Sequence, residues 1–170
     1  MKLRYKILLG FFFTILIGFL VPERKVIPVE GATRSDWNAN TFWYEPWGSS
    51  GVHKGIDIFS DKGTPVIAST DMLILYRGRI KKGGNIVVGL GAKWRLHYFA
   101  HLEEINENDS LFLAKGQPIG TVGSTGNARG KQPHLHFSLL SLVPIPWRAD
   151  SSSQGYKKIF YLDPIKYFSE

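Results

Sequence analysis

The chain of 170 residues has a formal charge of +7, is 44 % hydrophobic and contains no cysteine. This length allows one domain with a substantial core, and the hydrophobic content argues against a disordered chain. The absence of cysteine excludes disulfides, thiolate metal sites and cysteine nucleophiles, so any metal ion must be held by His, Asp or Glu.

A targeting segment is predicted over residues 1–21. Lys2, Arg4 and Lys6 precede an unbroken apolar run over residues 7–21. The positive start is expected to stay in the cytoplasm, which places the rest of the chain on the periplasmic or cell-envelope side. The run is short for a membrane span and long for a signal-peptide core, and we favour an uncleaved membrane anchor over a cleaved signal.

Residues 22–48 are expected to be a linker and lead-in, followed by one domain over residues 49–170. The linker contains an aromatic cluster that we expect to pack on the domain, with lining of a groove as the alternative; its members are Trp37, Phe42, Trp43, Tyr44 and Trp47. A second alternative is that residues 30–50 fold back over a site and offer Asp36, Asn38 or Asn40 as a ligand. A simple spacer is the favoured interpretation.

The domain is predicted to be mainly β, with antiparallel strands and few short helices. Segments rich in β-branched and aromatic residues alternate with glycine-containing turns, and such short connections join antiparallel neighbours. The predicted strands are 56–59, 64–68, 72–80, 85–90, 94–102, 118–122 and 135–142. Residues 103–114 are predicted to be a polar loop, with a helical turn as an alternative, and a short helix is expected from Asp163-Pro164 to about Phe168.

All five histidines fall in three clusters with strand spacing. Residues i, i+2 and i+4 of a strand share a face, so the spacing pairs His53 with Asp57, His97 with His101 and His134 with His136. Imidazole and carboxylate groups are suitable zinc ligands. Any one of these pairs alone would more often be a chance surface pair or a pair of satisfied polar residues, and the evidence for a site comes from the three together.

A catalytic zinc ion needs three protein ligands and one position open to water. His53, Asp57 and one member of the pair His134 and His136 supply three ligands. The other member and His101, which lies at the strand end, remain for proton transfer and oxyanion stabilisation. The sequence contains no HExxH helix motif, no Gly-x-Ser-x-Gly elbow and no phosphate-binding loop.

Four motifs in this order resemble the lysostaphin-type, or LytM-like, zinc metalloendopeptidases, over roughly residues 50–140. They are HKGIDIFSDKGTPVIA (53–68), FAHL (99–102), KGQPIGTVGSTG (115–126) and HLHF (134–137). The family usually has glycine after an acidic or polar residue where this chain has Asp71-Met72, and residues 81–95 are less regular than usual. Both departures lie in the sheet and bear on the shape of the groove.

The resemblance implies an antiparallel β-sheet core with a substrate groove. It implies Zn²⁺ held by His53, Asp57 and His136, with His134 and His101 as the catalytic residues. It also implies hydrolysis of peptidoglycan peptide stems, at either D-Ala-to-diamino-acid cross-links or glycine bridges.

Other functions are open to a protein with this sequence. One is a non-catalytic envelope scaffold or activator of other wall hydrolases, as in relatives that have lost zinc ligands. Another is a metallopeptidase that cuts a protein substrate. The positive charge suits an anionic polymer such as cell wall, but nucleic acid is disfavoured because the sequence has no dense basic helix and no nucleic-acid-binding motif.

Overall fold

Nine β-strands and two α-helices make up the structure, a computed structural model that describes residues 3–106 and 110–169. The strands are β1 (Ile56–Phe59), β2 (Pro65–Ile67), β3 (Met72–Ile80), β4 (Gly84–Gly91), β5 (Arg95–Leu102), β6 (Phe112–Leu113), β7 (Pro118–Thr121), β8 (His134–Ser141) and β9 (Tyr161–Leu162). The helices are α1 (Leu3–Leu20) and α2 (Pro164–Ser169).

The main sheet is antiparallel, as predicted. Its order is β1-β8-β5-β4-β3-β6, and β9 pairs with β8 beyond the end of β1. Strands β2 and β7 form a separate two-stranded antiparallel sheet. Strand β8 is therefore bonded on both edges, to β5 on one side and to β1 and β9 on the other.

The hydrophobic core lies on one face of the main sheet. Leu135, Phe137 and Leu139 alternate along β8 and are fully buried. Phe137 packs against Phe99 of β5 with ring centroids 5.3 Å apart, and against Phe168 of α2 at 5.4 Å. Burying one such side chain stabilises a fold by roughly 1.5–3 kcal/mol, so this alternation fixes which face of β8 points inward.

Strands β1 and β3 have the predicted bounds, and no end of β2, β4, β5, β7 or β8 differs from prediction by more than one residue. Strands β6 and β9 were not predicted, because two residues carry no periodicity. Strand β6 lies inside the predicted polar loop, whose residues 107–109 fall outside the described part of the chain. The alternative of a helical turn finds no support in the described part of that loop.

Beyond Lys6, helix α1 carries no charged residue on any face, and none of its residues is buried. It is long and apolar enough to cross a membrane, with a mean hydropathy of 1.8. Its contact with the domain is made by Trp94, whose indole Nε1–H donates to the carbonyl of Ile15 at 2.9 Å. Gly18 permits this approach, since a Cβ atom there would lie 2.1 Å from the indole nitrogen.

Several residues of the predicted linker and lead-in, residues 22–48, pack on the domain. Val29 pairs with Val66 of β2, and both Val29 and Trp37 are buried in the core. The carboxylate of Glu23 accepts a hydrogen bond from the Tyr167 hydroxyl at 3.0 Å and forms an ion pair with Arg95. The domain boundary at residue 49 stays a prediction, but the segment before it contributes to the core.

Candidate metal centre

The segment before β1 fixes the position of His53. The backbone N–H of Trp43 donates to the His53 carbonyl at 2.7 Å, and the N–H of His53 donates to the Tyr44 carbonyl at 3.0 Å. The indole of Trp47 stacks on the His53 imidazole, with centroids 4.0 Å apart and planes inclined by 19°. The imidazole is 1 % exposed, so neighbours hold it on every side.

The register of the sheet places Asp57 directly opposite His136. Asp57 pairs with His136 across β1 and β8, while Phe59 pairs with His134. His53 is four residues before Asp57, and Gly55 lies between them without a side chain. One strand pair and the turn before it thus bring together residues that are 79 positions apart in sequence.

The side chains of His53, Asp57 and His136 converge on one point, where each offers a ligand atom. Asp57 Oδ1 lies 3.1 Å from His53 Nε2 and 2.8 Å from His136 Nδ1. The two nitrogens are 3.0 Å apart. Two imidazole nitrogens and one carboxylate oxygen form a donor set that zinc prefers.

The hydrogen bonds on the far side of His53 determine which nitrogen carries its proton. His53 Nδ1 lies 3.1 Å from the Thr41 carbonyl oxygen, which can only accept, so in the neutral ring the proton is on Nδ1. The Nε2 lone pair then faces the carboxylate oxygen of Asp57. Two acceptors this close repel each other unless a proton or a cation lies between them, and this arrangement fits a metal ion.

The electrostatics of Asp57 favour its charged form. Burial raises the pKa of this carboxyl, but the His136 and His53 imidazoles beside it outweigh burial and bring its pKa far below the usual value. Burial also lowers the pKa of His136, which favours its neutral form, although Asp57 opposes this shift. An ionised carboxylate and a neutral imidazole are the forms that bind metal.

His134 and His101 lie beside this donor set. His134 Nε2 is 3.9 Å from Asp57 Oδ2, and the His101 and His134 rings are 5.2 Å apart. Each ring points its Nδ1 at a carbonyl, His134 to Gln132 at 2.7 Å and His101 to Thr125 at 2.9 Å. In both neutral rings Nε2 is consequently left with a free lone pair.

His101 reaches the site through an unusual backbone conformation. Its φ is +66°, in the left-handed region that non-glycine residues rarely adopt. This conformation breaks the alternation at the end of β5 and turns the ring towards His134 and His136. Burial, followed by the charges of His136 and His134, lowers the pKa of His101 to about 4.

The prediction that His97 and His101 share a face is wrong. His97 is fully buried on the core side, where its ring packs 5.9 Å from both Phe137 and Tyr167. Its Nδ1 lies 2.8 Å from the Ser69 hydroxyl, and burial lowers its pKa to about 3. Period-two spacing failed here because the positive φ at residue 101 reverses the direction of the last side chain.

A groove of about 590 Å³ runs beside the donor set. Its lining includes the imidazoles of His53, His101 and His136 and the two tyrosines Tyr98 and Tyr161. Burial raises the pKa of Tyr98 to about 12, so its hydroxyl keeps its proton at neutral pH. The groove also contains Lys54, whose pKa is lowered by burial and then by the nearby charges of Lys157 and Lys82.

A model of peptidase family M23 matches residues 51–144, more than half of the chain. The chain belongs to peptidase family M23. The resemblance of its four motifs to lysostaphin-type peptidases is thereby confirmed, and all four overlap the matched residues.

Several curated proteins share this M23 region. The chain is 40 % identical over 86 residues to the DD-carboxypeptidase/endopeptidase Mpg of Neisseria meningitidis, covering 51 % of this chain and 19 % of Mpg. It is 36 % identical over 91 residues to lysostaphin of Staphylococcus simulans, covering 52 % and 18 %. It is 34 % identical over 92 residues to the murein hydrolase activator NlpD of Escherichia coli, covering 54 % and 24 %. The chain thus spans about a fifth of the length of these relatives.

A solved structure agrees with the fold over most of the chain. The catalytic domain of lysostaphin from Staphylococcus simulans superposes with a TM-score of 0.59 at 25 % identity. The match covers 87 % of this chain and 93 % of that domain. The mainly antiparallel β-fold predicted from sequence is confirmed as an M23 fold.

Sequence reasoning missed several groups that surround the M23 site. Ser138, whose hydroxyl lies 3.0 Å from His136 Nε2, is at i+2 on the same strand face and could have been found from spacing. The carbonyl oxygens of Thr41 and Thr125 belong to the backbone, so residue type gives no indication that they contact the site. The stacking of Trp47 on His53 was not predicted as such. The sequence analysis gave only the broader alternative that the aromatic cluster lines a groove.

Proposed function

We propose that this M23 chain is a zinc-dependent endopeptidase that hydrolyses the peptide cross-links of bacterial peptidoglycan. His53, Asp57 and His136 are the proposed zinc ligands, and His134 and His101 the proposed catalytic residues. The observation that carries the proposal is the meeting of two imidazole nitrogens and a carboxylate oxygen within 3.1 Å of each other.

The residues around the donor set suit zinc rather than an isolated hydrogen-bond network. The Thr41 carbonyl orients the His53 ring, and Ser138 Oγ contacts the outer nitrogen of His136. Such outer partners fix the tautomer of ligating histidines. Bound zinc would polarise the scissile carbonyl and lower the pKa of a coordinated water towards neutrality.

His134 and His101 are proposed to act as the general base and general acid. The free lone pair on Nε2 of either ring can accept a proton from the attacking water. Once protonated, the same Nε2–H can donate to the developing oxyanion or to the leaving amine. Carbonyl contacts at each Nδ1 hold both rings in the tautomer that this exchange requires.

We further propose that the domain acts outside the cytoplasm and is anchored in the membrane by residues 7–21. Helix α1 has the length and apolarity of a span, and Lys2, Arg4 and Lys6 mark its cytoplasmic end.

Peptidoglycan digestion tests the proposal. The zinc-loaded full chain is incubated with purified peptidoglycan of two cross-link chemistries, and released fragments are identified by mass spectrometry. Conversion of cross-linked dimers to monomers is expected, and it should be lost in His134→Ala and retained in a folded His97→Gln control. A folded, zinc-bearing protein that cleaves neither polymer would instead favour an activator, the role named for NlpD.

A further inference from the structure

The groove beside the proposed metal centre is strongly basic. Lys54, Lys82 and Lys131 line it, and no Asp or Glu appears among its lining residues in the described part of the chain. The carboxylate of Asp57 lies against two lining residues, 3.1 Å from His53 Nε2 and 2.8 Å from His136 Nδ1. A substrate entering this groove therefore meets three cationic side chains and no exposed anion on its walls.

Each of these lysines is carried by a segment that also positions a site histidine. Lys54 directly follows His53, and Lys131 is three residues before His134. Lys82 precedes Gly83, whose carbonyl accepts a hydrogen bond from the backbone N–H of His101 at 2.8 Å. The same backbone segments that position the histidines therefore also fix the Cα positions of the three lysines.

Nothing within the described residues neutralises the three lysines. Lys54 Nζ donates to the Ser50 carbonyl at 3.2 Å, and Lys82 Nζ donates to the Ser49 carbonyl at 3.2 Å. These partners are neutral, and no ion pair with a carboxylate is found for any of the three in residues 3–106 and 110–169. Gathering like charges costs folding free energy, so the cluster is better explained by a ligand of opposite charge.

We propose that Lys54, Lys82 and Lys131 bind a free carboxylate of the peptide substrate close to the scissile bond. This inference rests on the proposed function, and it names the substrate class. The groove selects peptide stems that carry a carboxylate beside the cleaved bond over uncharged glycine bridges, the substrate in the name of the related glycyl-glycine endopeptidase ALE-1 of Staphylococcus capitis.

Equilibrium binding tests the inference without any requirement for catalysis. The probes are synthetic stem peptides in three forms: one with a free side-chain carboxylate, one with a free C-terminal carboxylate, and one with both groups amidated. Binding to the metal-free full chain in detergent is followed by calorimetry. At least one carboxylate form is expected to bind about 10-fold more tightly than the amidated form, and the preferred form identifies which carboxylate is held.

Charge-removing variants locate the effect. Lys82→Gln and Lys131→Gln together should abolish the preference for carboxylate. Lys115→Gln and Lys166→Gln together, an equal charge change at two exposed lysines outside the groove lining, should leave it intact. Glutamine at position 82 can still donate to the Ser49 carbonyl, so the wall of the groove is expected to keep its shape. Retained folding of each variant is checked by thermal unfolding.

Equal binding of all three peptides would overturn the inference, whether or not the protein cleaves peptidoglycan. A preference for carboxylate that survives Lys82→Gln/Lys131→Gln would also overturn it. Where cleavage is observed, the carboxylate peptide should have a kcat/KM about 10-fold above that of pentaglycine whose C-terminus is amidated, and this ratio should fall as salt is added. Faster cleavage of pentaglycine would contradict the inference and leave the endopeptidase proposal standing.

Discussion

At the scale of single residues, the site depends on the orientation of each imidazole. Carbonyl oxygens of Thr41, Gln132 and Thr125 each accept from an Nδ1–H, and the three Nε2 atoms are left free for the chemistry. The left-handed backbone of His101 costs about 1–2 kcal/mol, which is tolerated because it brings a fourth imidazole to the site.

Replacing Asp57 with asparagine should remove tight zinc binding. The asparagine side chain would keep the shape of the aspartate but lose the negative charge and one acceptor oxygen that face His53 and His136. We expect zinc affinity to fall by at least about 100-fold, measured by competition with a chelator of known affinity. Zinc binding equal to that of the unchanged chain would refute the assignment of Asp57 as a ligand.

His97 should make stability depend on acid pH. Its pKa is about 3 in the fold against 6.5 for the free side chain, so between these values the unfolded chain binds more protons. The contribution of His97 to the free energy of unfolding is therefore fully present above about pH 6.5. It falls as the pH drops below that value, by at most ~1.4 kcal/mol per pH unit.

Chemical denaturation at pH 7, 6, 5 and 4 measures this effect in the unchanged chain and in His97→Gln. The variant should lose less stability on acidification, although it should be less stable at pH 7 because Ser69 loses its present partner. Parallel pH profiles for the two proteins would show that His97 does not titrate as the structure indicates.

The residue types of the site were evident from the sequence, but their roles were not. Spacing grouped the histidines correctly into three clusters, because strand pairing preserves local order. It could not decide which of His134 and His136 faces Asp57, since that depends on the register between β1 and β8. It also placed His97 and His101 on one face, because the sign of φ at residue 101 leaves no mark in the pattern.

At the scale of secondary structure, the pairing of β1 with β8 builds the metal centre. Gly55 lies where the chain enters β1, against the backbone of β8. A Cβ atom at this position would be 2.3 Å from the Phe137 carbonyl oxygen and 2.7 Å from Ser138 Oγ. Backbone atoms cannot yield to such a contact as a flexible side chain can, so the close approach of the two strands requires glycine.

Gly55→Ala should therefore separate β1 from β8 and displace His53 and Asp57 from His136. We expect a loss of about 2–4 kcal/mol in the free energy of unfolding, with weakened zinc binding. Gly63→Ala is the matched control, because its φ of +92° brings strain but a Cβ atom there meets nothing within 4 Å. The control should lose only about 1–2 kcal/mol and keep its zinc affinity. Equal zinc affinity in both variants would contradict this account of the strand pair.

Strand positions were predictable to within about one residue at either end because glycine turns bound each apolar run. Not every strand pairing could be predicted from the sequence. Strands β6 and β9 are two residues long and exist because longer neighbours offer free edges. Their pairing is a tertiary effect that local sequence does not encode.

At the scale of the whole molecule, residues 22–30 fasten the end of α1 to the domain. Glu23 is the centre of this attachment, with its side chain 2 % exposed and bonded to Arg95 and Tyr167. Val26 and Glu30 add backbone hydrogen bonds to Ser69 and Pro65. The segment lacks periodicity, so its packing was not apparent from sequence.

Glu23→Gln should destabilise the fold by about 2–3 kcal/mol, since it leaves Arg95 without its counter-charge in a mostly buried setting. Arg24→Gln is the control from the same segment. It breaks an ion pair with Asp71 in which the arginine side chain is 69 % exposed, and should cost less than about 1 kcal/mol. Denaturant titration of both variants distinguishes a structural attachment from a free spacer, for which neither change would matter.

Zinc titration of the purified full chain tests most directly whether the metal centre performs the proposed chemistry. The metal-free protein is titrated with Zn²⁺ while peptidoglycan fragment release is followed at each step. We predict that activity rises in proportion to bound zinc, reaches its maximum at one ion per chain, and is absent in Asp57→Asn at every zinc level tested. Full activity in the metal-free protein, or none with one zinc ion bound, would contradict the proposal.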